Sequence, residues 1–431
     1  MSSTPAQVVD AAAAATPAAK PASTLFGSTG DSPSYVHFGV GAPDAALLAE
    51  ASGLLQAAAT APLDAGFLQY GPTCGDDAFR AALAGWLTAE YGGAAVEPGA
   101  LCATAGATSG LTLLASAFFS RGDTVFVEDP VYFLALDVFA ELGLHVVPIR
   151  TDRGGMDLAH LQTELLILGE TLKQPDAQRP AGPYRAMLYT IPTFHNPTGG
   201  SLSEERRRRL VHLTAKESVL TVCDDVYQLL PFPAAVEQGA VPPRLLSYDT
   251  AGTGHVVSNC SFSKLFAPGI RLGWMETHKG PVRDALQSSG ILVSGGCMNH
   301  VACGWMLRLL ESGEFAAYVA KLRLTYAERC AALLGVLREK LPNTVELFVE
   351  PQGGYFLWLT LPMPSEPALA LARKEGVDAQ LGSKFSATKA FGNSMRLSFA
   401  HYPSEQLVAG AEILCSSINS LLTKRKEAKS D

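Results

Sequence analysis

One stretch of this chain points to both its fold and its chemistry: Ser261-Phe262-Ser263-Lys264-Leu265-Phe266-Ala267-Pro268-Gly269-Ile270-Arg271-Leu272-Gly273-Trp274. The lysine within it, Lys264, is flanked by Phe262, Leu265 and Phe266, and we expect these side chains to remove it partly from water. An ammonium group that loses water gives up its proton more readily, and a neutral lysine is a nucleophile for aldehydes. The stretch therefore predicts a reactive lysine in an apolar frame.

Two hydroxyls and an arginine accompany that lysine. Ser261, Ser263 and Arg271 supply hydroxyl donors and a rigid fork of N–H groups, which together are typical of a phosphate site. An aldehyde that also carries phosphate is pyridoxal 5'-phosphate (PLP), so the stretch favours this cofactor. A loop that packs its aromatic residues and keeps its charges in water is the alternative, and the stretch alone leaves it open.

The size and composition of the chain exclude several classes of protein. At 431 residues it is long enough for two domains, because single cores stop growing near roughly 250–300 residues. A formal charge of -8 gives no indication of binding to nucleic acid or to an anionic membrane, so we expect small-molecule partners. No apolar run approaches the roughly 18 residues that span a bilayer, and no basic leader precedes a leucine-rich stretch. We therefore expect a cytoplasmic protein.

The eight cysteines are scattered through apolar segments, with no CxxC pair and no spacing typical of a metal site. We expect them to be reduced core residues, and we expect no metal ion. Residues 1–30 are rich in Ala, Pro, Ser and Thr, which predicts a disordered arm. An organellar transit peptide is the alternative, although such peptides are usually rich in arginine.

Five short apolar runs, separated by helical or turn segments, indicate a sheet: residues 124–128, 145–149, 186–191, 219–223 and 256–259. Continuous rather than alternating apolarity is typical of strands buried on both faces, which predicts a mainly parallel α/β sheet. A charged helix is predicted over residues 204–216, with Ser201 and Glu204 as its capping box. The arginines at 206–209 are expected to form a solvated face.

The character of the chain changes after about residue 315, where long helices precede a glycine turn and a strand at 353–359. This predicts a second, smaller α+β domain. The predicted divisions are a disordered arm at 1–30, an N-terminal segment associated with the small domain at 31–65, a large cofactor-binding domain at 66–315, a small domain at 316–423, and a charged tail at 424–431.

Three further segments carry groups suited to a cofactor. The small residues at 104–110 open an apolar helix, whose exposed N–H groups are a ready anion site, although a tight loop made small for packing is equally consistent with them. The amide of Asn196 and the carboxylate of Asp224 each follow an apolar run, at the sheet edge where α/β proteins bind ligands. A carboxylate facing a pyridine nitrogen keeps that ring protonated, so that it accepts electrons from a substrate carbon.

Taken in order, these segments and the late Met395-Arg396-Leu397-Ser398 make residues 35–420 resemble the fold-type I, class I/II aminotransferases. The form Ser-Phe-Ser-Lys…Ala-Pro-Gly-x-Arg-Leu-Gly-Trp is most similar to the kynurenine/2-aminoadipate aminotransferase group. The resemblance implies a large domain with a mainly parallel seven-stranded sheet, plus the smaller α+β domain. It also implies ping-pong transfer of an amino group between an L-amino acid and a 2-oxo acid.

The same resemblance assigns roles around the cofactor. Lys264 would form the internal aldimine and shuttle a proton, and Asp224 would pair with the pyridinium nitrogen. The other implied cofactor contacts are Asn196 and Tyr227 at the ring oxygen, Tyr132 stacked on the ring, and Ala107, Thr108, Ser261, Ser263 and Arg271 at the phosphate. Two residues complete the implied substrate and subunit contacts: Arg396 would clamp the substrate α-carboxylate beside Gly41 and Asn196, and Tyr70 would reach the phosphate of a neighbouring subunit in a homodimer.

Two other functions use related scaffolds. A PLP-dependent lyase, catalysing β-elimination or aminocyclopropane-carboxylate synthesis, is the main alternative, because the cofactor stabilises one carbanion whose fate the pocket decides. A transcriptional regulator would carry a helix-turn-helix module, for which we judge the leader before residue 35 too short. The segment 376–385 departs from the family, with Leu381-Gly382-Ser383 where many relatives have a Pro-Gly turn, and the segment 294–300 is unusually rich in small residues. Both departures indicate a specialised substrate pocket.

Overall fold

The structure of the protein, a computed structural model, describes residues 35–174 and 182–430. The predicted disordered arm at 1–30 lies outside these residues. Within them, no helix combines the length and the apolar character that crossing a membrane requires.

The strands of the described residues are, in chain order, β1 (Val36–His37), β2 (Leu101–Thr104), β3 (Thr124–Asp129), β4 (His145–Asp152), β5 (Gly155–Met156), β6 (Ala186–Thr190), β7 (Val219–Asp224), β8 (Val256–Ser261), β9 (Gly273–Thr277), β10 (Glu346–Leu347), β11 (Phe356–Thr360), β12 (Val377–Asp378), β13 (Gln380–Leu381) and β14 (Ser394–Ser398).

The helices are α1 (Ala45–Thr60), α2 (Asp77–Glu90), α3 (Ala107–Phe118), α4 (Phe133–Leu142), α5 (Leu158–Thr171), α6 (Glu204–Lys216), α7 (Pro233–Glu237), α8 (Pro281–Ser288), α9 (Gly290–Gly295), α10 (His300–Ser312), α11 (Glu314–Lys340), α12 (Glu366–Lys374) and α13 (Ser404–Ser430).

The large sheet has the order β2-β9-β8-β7-β6-β3-β4-β5. Strands β8, β7, β6, β3 and β4 run parallel, whereas β9 is antiparallel to both of its neighbours. All residues of β6, β7 and β8 are buried, as expected for strands covered on both faces. The predicted seven-stranded, mainly parallel sheet is confirmed, and the two-residue β5 extends its edge.

The smaller domain contains the antiparallel sheet β10-β11-β14-β13 and the long helices α11 and α13, which pack against each other. The N-terminal strand β1 pairs in parallel with β12, Val36 opposite Val377, so the start of the described chain joins this part of the molecule. Helix α11 begins at Glu314, close to residue 315, after which the sequence predicts the long helices of the small domain. Its first turns pack Phe315 and Tyr318 against the aromatic residues that flank Lys264.

Three strands of the large sheet, β2, β5 and β9, were not identified from the apolar runs. Strand β2 has four residues, and β9 has five, of which only Trp274 and Met275 are large and apolar. Such short segments carry too few residues for a pattern, and their strand character depends on the partner: Ala103 lies opposite Trp274.

Helix α6 has the predicted bounds, but its cap and one of its arginines differ from prediction. The N-cap is Ser203, whose hydroxyl accepts from the Arg206 amide, whereas the Ser201 hydroxyl accepts from the Phe194 amide. Arg207 is fully buried rather than solvated, and it donates to the carbonyls of Leu202 and Pro192. Backbone acceptors beneath the helix satisfy that guanidinium, a pairing that the linear pattern does not reveal.

The C-terminal helix extends through the residues predicted to form the charged tail. Helix α13 continues to Ser430, so residues 424–430 are helical. Leu407, Ala411, Leu414 and Ile418, spaced three or four residues apart, are buried along its preceding turns. The helix therefore docks on the protein through this apolar stripe.

Candidate active site

A cavity of about 490 Å³ lies at the carboxyl ends of the parallel strands, where the small domain meets the large one. Most of the predicted site residues line it, namely Gly41, Ala107, Thr108, Tyr132, Asn196, Asp224, Tyr227, Ser261, Ser263, Lys264, Arg271 and Arg396. Most of them follow strands of the large sheet, because carboxyl ends of parallel strands share one sheet edge, whereas Arg396 lies on β14 of the smaller sheet. Tyr70 is the exception among the predicted residues.

Lys264 lies just beyond β8, at the centre of the cavity. Its Nζ donates a 2.6 Å hydrogen bond to the carbonyl oxygen of Gly41. Burial, together with the positive charge of Arg396, lowers the pKa of Lys264 to about 8, whereas Asp224 opposes the shift. The backbone carbonyl of Lys264 accepts from the Tyr355 hydroxyl at 3.0 Å, which ties the lysine to the small domain. The lysine is thus held in place and primed for deprotonation near neutral pH.

Asp224 ends strand β7 and turns its carboxylate into the cavity. Its Oδ2 accepts from the Tyr189 hydroxyl at 2.5 Å, while its buried Oδ1 has no hydrogen-bond partner within the described residues. Burial raises the pKa of Asp224 to about 6, against the lowering effect of the Tyr189 hydrogen bond and of Lys264. One oxygen is thus fixed and the other is available to a cationic or N–H-bearing ligand.

The opposite end of the cavity is built to receive an anion. Helix α3 starts there at Ala107 behind Gly106, and no side chain caps its first amides. Gly106 has φ 91°, and a Cβ on it would lie 2.9 Å from the Arg271 guanidinium, so only glycine permits this approach. Arg271 in turn lies 3.4 Å from the Ser263 hydroxyl, which accepts from Ser261 at 2.9 Å. Amides, hydroxyls and a guanidinium therefore converge on one corner.

Arg396, on β14, forms the third polar region. Its guanidinium donates to the Asn196 side-chain oxygen at 2.9 Å and to the Gly39 carbonyl at 2.7 Å. The rings of Phe356 and Phe385 lie 4.0 and 4.8 Å from its Cζ. Burial lowers the pKa of Arg396 to about 10. A guanidinium held by two neutral acceptors and two rings keeps its positive charge available for a carboxylate.

Tyr132 and Tyr227 complete the walls between these regions. Burial raises the pKa of both phenols, and the charge of Arg396 opposes the shift. Asn196 also hydrogen-bonds Tyr227, which lowers that phenol's pKa, so Asn196 links Arg396 to Tyr227. The amide and the two phenols therefore face the same space as Lys264.

Several residues of the site were missed by sequence reasoning. Tyr189 positions Asp224, and the Asn259 amide donates to the Ala107 carbonyl at 2.8 Å, which fixes the start of α3. The weak signal for both was a polar side chain within a largely apolar strand. Phe356 and the Gly39 carbonyl hold Arg396 but carry no such signal, because their roles arise only from the contact between domains.

Tyr70 lies outside the cavity of this chain. Its side chain is 77% exposed, and the neighbouring Leu68 is 74% exposed. Glycines allow the adjacent loop to approach closely: a Cβ on Gly296 would lie 2.7 Å from the Gly71 amide nitrogen. The segment 68–71 is thus packed against the small-residue segment 294–300, with its aromatic residue facing outward.

Comparison with known proteins agrees with this geometry. Residues 34–414 match the family described as aminotransferase class I and II. The chain belongs to the class I and II aminotransferases. It is 30% identical over 362 residues to aromatic-amino-acid aminotransferase 1 of Thermococcus litoralis, covering 83% of this chain and 81% of that protein.

Two solved structures of aminotransferases are also similar. Kynurenine aminotransferase of Pyrococcus horikoshii superposes with a TM-score of 0.78 at 28% identity, covering 90% of this chain and 92% of that one. The α-aminoadipate aminotransferase LysN of Thermus thermophilus, complexed with N-(5'-phosphopyridoxyl)-L-leucine, gives a TM-score of 0.74 at 28% identity, covering 91% and 94%. This aminotransferase therefore shares the PLP-dependent fold, as the sequence resemblance implied.

Proposed function

We propose that this aminotransferase uses PLP held in the 490 Å³ cavity to move an amino group between an L-amino acid and a 2-oxo acid. The observation that carries the proposal is the unpartnered Oδ1 of Asp224, buried on the same cavity as Lys264 and the anion corner. A pyridinium N–H, an aldehyde and a phosphate are the three groups that these regions fit. PLP combines them in one molecule and supplies an electron sink for the substrate carbon.

Each residue of the chain then has a defined task. Asp224 would accept the ring N–H, while Ala107, Thr108, Ser261, Ser263 and Arg271 would hold the phosphate. Asn196 and Tyr227 would donate hydrogen bonds to the ring oxygen, and Tyr132 would lie beside the ring. Lys264 would hold the cofactor and carry a proton to and from the substrate carbon.

Arg396 binds the α-carboxylate of the substrate beside Gly41 and Asn196. A Cβ on Gly41 would lie 3.0 Å from the Phe356 ring and 4.0 Å from the Arg396 guanidinium, so the absent side chain leaves room for that carboxylate. The fork of N–H groups fits a carboxylate bidentately and fixes the orientation of the bond to be broken. The proton on that carbon is then directed toward Lys264.

The decisive experiment is removal of the lysine. Wild-type protein loaded with PLP is expected to show an absorbance band that is bleached by an amino donor and restored by a 2-oxo acid. Lys264→Ala is expected to lose at least about 10³-fold in turnover, since the proton carrier is gone. Full turnover by Lys264→Ala would overturn the assignment.

Product analysis separates amino transfer from the lyase alternative. Transfer returns an amino acid from the added 2-oxo acid, whereas elimination yields ammonia and an oxo acid without any acceptor. The family match and the relatives named aminotransferases favour transfer.

We also propose that the protein is a homodimer with shared active sites. Leu68, Tyr70, Ile291 and Val293 are between 56% and 77% exposed, and large exposed apolar residues of this kind mark contact surfaces. Leu292 and Met298 line a crevice together with Thr108, so this face adjoins the phosphate corner. A second copy covering it would bring Tyr70 to the partner's phosphate.

Complementation tests this arrangement. Mixed dimers of Tyr70→Ala and Lys264→Ala chains contain one site with both wild-type side chains, and are expected to recover the PLP affinity and turnover of one wild-type site. Ile291→Glu combined with Val293→Glu is expected to give monomers in analytical ultracentrifugation. Recovery no greater than the average of the two parents would contradict shared sites.

A further inference from the structure

The loop between β12 and β14, where the sequence departs from the family, brings a second cation against Phe133, a wall of the cavity. Strand β13 pairs with β14 so that Gln380 lies directly opposite Arg396. Directly opposed residues of antiparallel strands share one face of the sheet, so Gln380 lies on the Arg396 side. The Lys384 ammonium donates to the Gln380 side-chain oxygen at 3.2 Å. The loop therefore places Lys384 beside the carboxylate-binding arginine.

Aromatic contacts place Lys384 relative to the cavity. Its Nζ lies 4.2 Å from the centre of the Phe133 ring, and Phe133 lines the cavity. The Phe133 ring contacts Phe385 with 5.4 Å between centroids, and the Phe385 ring lies 4.8 Å from Cζ of Arg396. A series of contacts through the edge-to-face rings of Phe133 and Phe385 thus links Lys384 to Arg396, and Phe133 is a wall of the cavity.

Within the part of the chain that the structure describes, neither cation has an acidic partner at close range. Among the ion pairs within 4 Å in residues 35–174 and 182–430, none includes Lys384 or Arg396. Asp137 attracts Lys384 from beyond that distance, whereas burial and the charge of Arg396 lower the pKa of Lys384. Two like charges with neutral close partners repel each other, and a ligand with two negative charges relieves that repulsion.

We propose that Lys384 binds the distal carboxylate of a dicarboxylic amino acid, or of its 2-oxo acid, while Arg396 holds the α-carboxylate. This rests on the proposed function, because it assumes that amino transfer takes place in this cavity. The Phe133 and Leu134 side chains would contact the methylene groups between the two carboxylates. A donor such as glutamate is then favoured over its neutral isostere glutamine by the charge of Lys384.

The half-reaction with a single donor tests this without a second substrate. Holoenzyme is mixed with glutamate or glutamine, and bleaching of the cofactor band gives a rate constant at each concentration. Lys384→Gln is expected to lower the second-order constant for glutamate by about 10- to 100-fold, through weaker apparent binding, as for loss of a charge-assisted hydrogen bond. The constant for glutamine is expected to stay within about twofold.

Three comparisons complete the design. Lys384→Arg keeps the charge and is expected to retain most of the preference for glutamate. Lys389→Gln removes an exposed lysine of the same loop and is expected to change neither donor. Binding of glutarate, a dicarboxylate that cannot react, is measured by spectral titration, and its dissociation constant is expected to rise in Lys384→Gln by a factor similar to that for glutamate.

The possible failures are distinguishable. A wild-type protein that transfers no amino group contradicts the proposed function. A wild-type protein that is active, with an unchanged ratio of glutamate to glutamine constants in Lys384→Gln, contradicts only the role of Lys384. If Lys384→Gln lowers the second-order constants for glutamate and glutamine equally, the role of Lys384 is also contradicted. Such a result indicates a disturbed loop rather than a lost charge contact.

Discussion

The hydroxyl of Tyr189 donates a 2.5 Å hydrogen bond to Oδ2 of Asp224, while the buried Oδ1 of the same cavity-lining residue has no hydrogen-bond partner within the described residues. Strands β6 and β7 are adjacent and parallel, with Tyr189 paired to Val222, so the phenol reaches across to the last residue of the neighbouring strand. This contact fixes the carboxylate and leaves one of its oxygens without a partner.

Asp224→Asn is expected to stabilise the cofactor-free protein above pH 6 and to weaken the binding of PLP. Burial raises the pKa of Asp224 to about 6 from an ordinary value of 3.8, so ionisation costs stability as pH rises between these values. Removing that cost is worth on the order of 1–3 kcal/mol at pH 8. Thermal melts of the wild type and of Asp224→Asn without PLP, at pH 4 and pH 8, measure this difference in stability. A gain in stability at pH 4 equal to that at pH 8 would contradict the charge explanation.

Tyr189→Phe is expected to shift the pH dependence of PLP binding by the cofactor-free protein. The Tyr189 hydrogen bond lowers the pKa of Asp224, so its loss raises that pKa further, and the loss of PLP affinity on acidification begins at higher pH. Fluorescence titration with PLP at a series of pH values measures the shift, and affinity at high pH is expected to stay close to that of the wild type. An affinity that falls equally at all pH values would indicate a packing defect instead.

Uptake of PLP by the cofactor-free protein is expected to accelerate as pH rises through about 8. The pKa of Lys264 is lowered to about 8, and only the neutral amine attacks an aldehyde. Stopped-flow absorbance at pH 6.5 to 9.5 follows the reaction, with phosphate affinity measured separately by competition with inorganic phosphate. A rate that does not change across this range would show that the amine is not the titrating group.

Gly106→Ala is expected to lower the affinity for PLP by about 10-fold or more. The new Cβ would lie 2.9 Å from the Arg271 guanidinium and would push that group away from the phosphate corner. Gly93→Ala is the matched control, since its φ of 90° is nearly the same as the 91° of Gly106, but nothing lies within 4 Å of its Cβ position. Both variants lose similar stability from backbone strain, about 1 kcal/mol, and only Gly106→Ala loses affinity in a fluorescence titration.

Arg396→Lys is expected to raise KM for the amino donor by about 10- to 100-fold despite keeping the positive charge. An ammonium cannot donate at once to Asn196, to the Gly39 carbonyl and to a carboxylate in a planar fork, nor can it stack as well on Phe356. Steady-state kinetics with one donor and saturating 2-oxo acid measure the change. PLP affinity serves as the control and is expected to stay within a few-fold, because Arg396 lies at the opposite end of the cavity from the phosphate corner.

Much of the candidate site was predictable because its residues follow buried strands. Asn196 and Asp224 each lie at or just after the end of an apolar run, and Lys264 follows another, so the parallel sheet brings them to one edge. Arg207 shows the limit of this reasoning. Its neighbours along the helix predicted a solvated arginine, yet it is buried because backbone carbonyls from two loops surround it.

The domain boundaries, the cytoplasmic location and the contact of Tyr70 with a partner's phosphate stay predictions. The eight cysteines are free in the structure, and seven of them are buried. Within the described residues, no group of His, Cys, Asp and Glu is arranged to hold a metal ion.

The sequence by itself determined the parallel sheet, the reactive lysine with its phosphate-binding hydroxyls, and the family, because these depend on local order: apolar runs, turns and residue spacing. Only the tertiary structure decided which oxygen of Asp224 is available, which neutral groups hold Arg396, and that Lys384 approaches it through Gln380. Those relationships join residues 16 to 357 positions apart, and a contact across such distances is set by strand register and domain packing. The spacing of residues along the chain therefore does not predict these contacts.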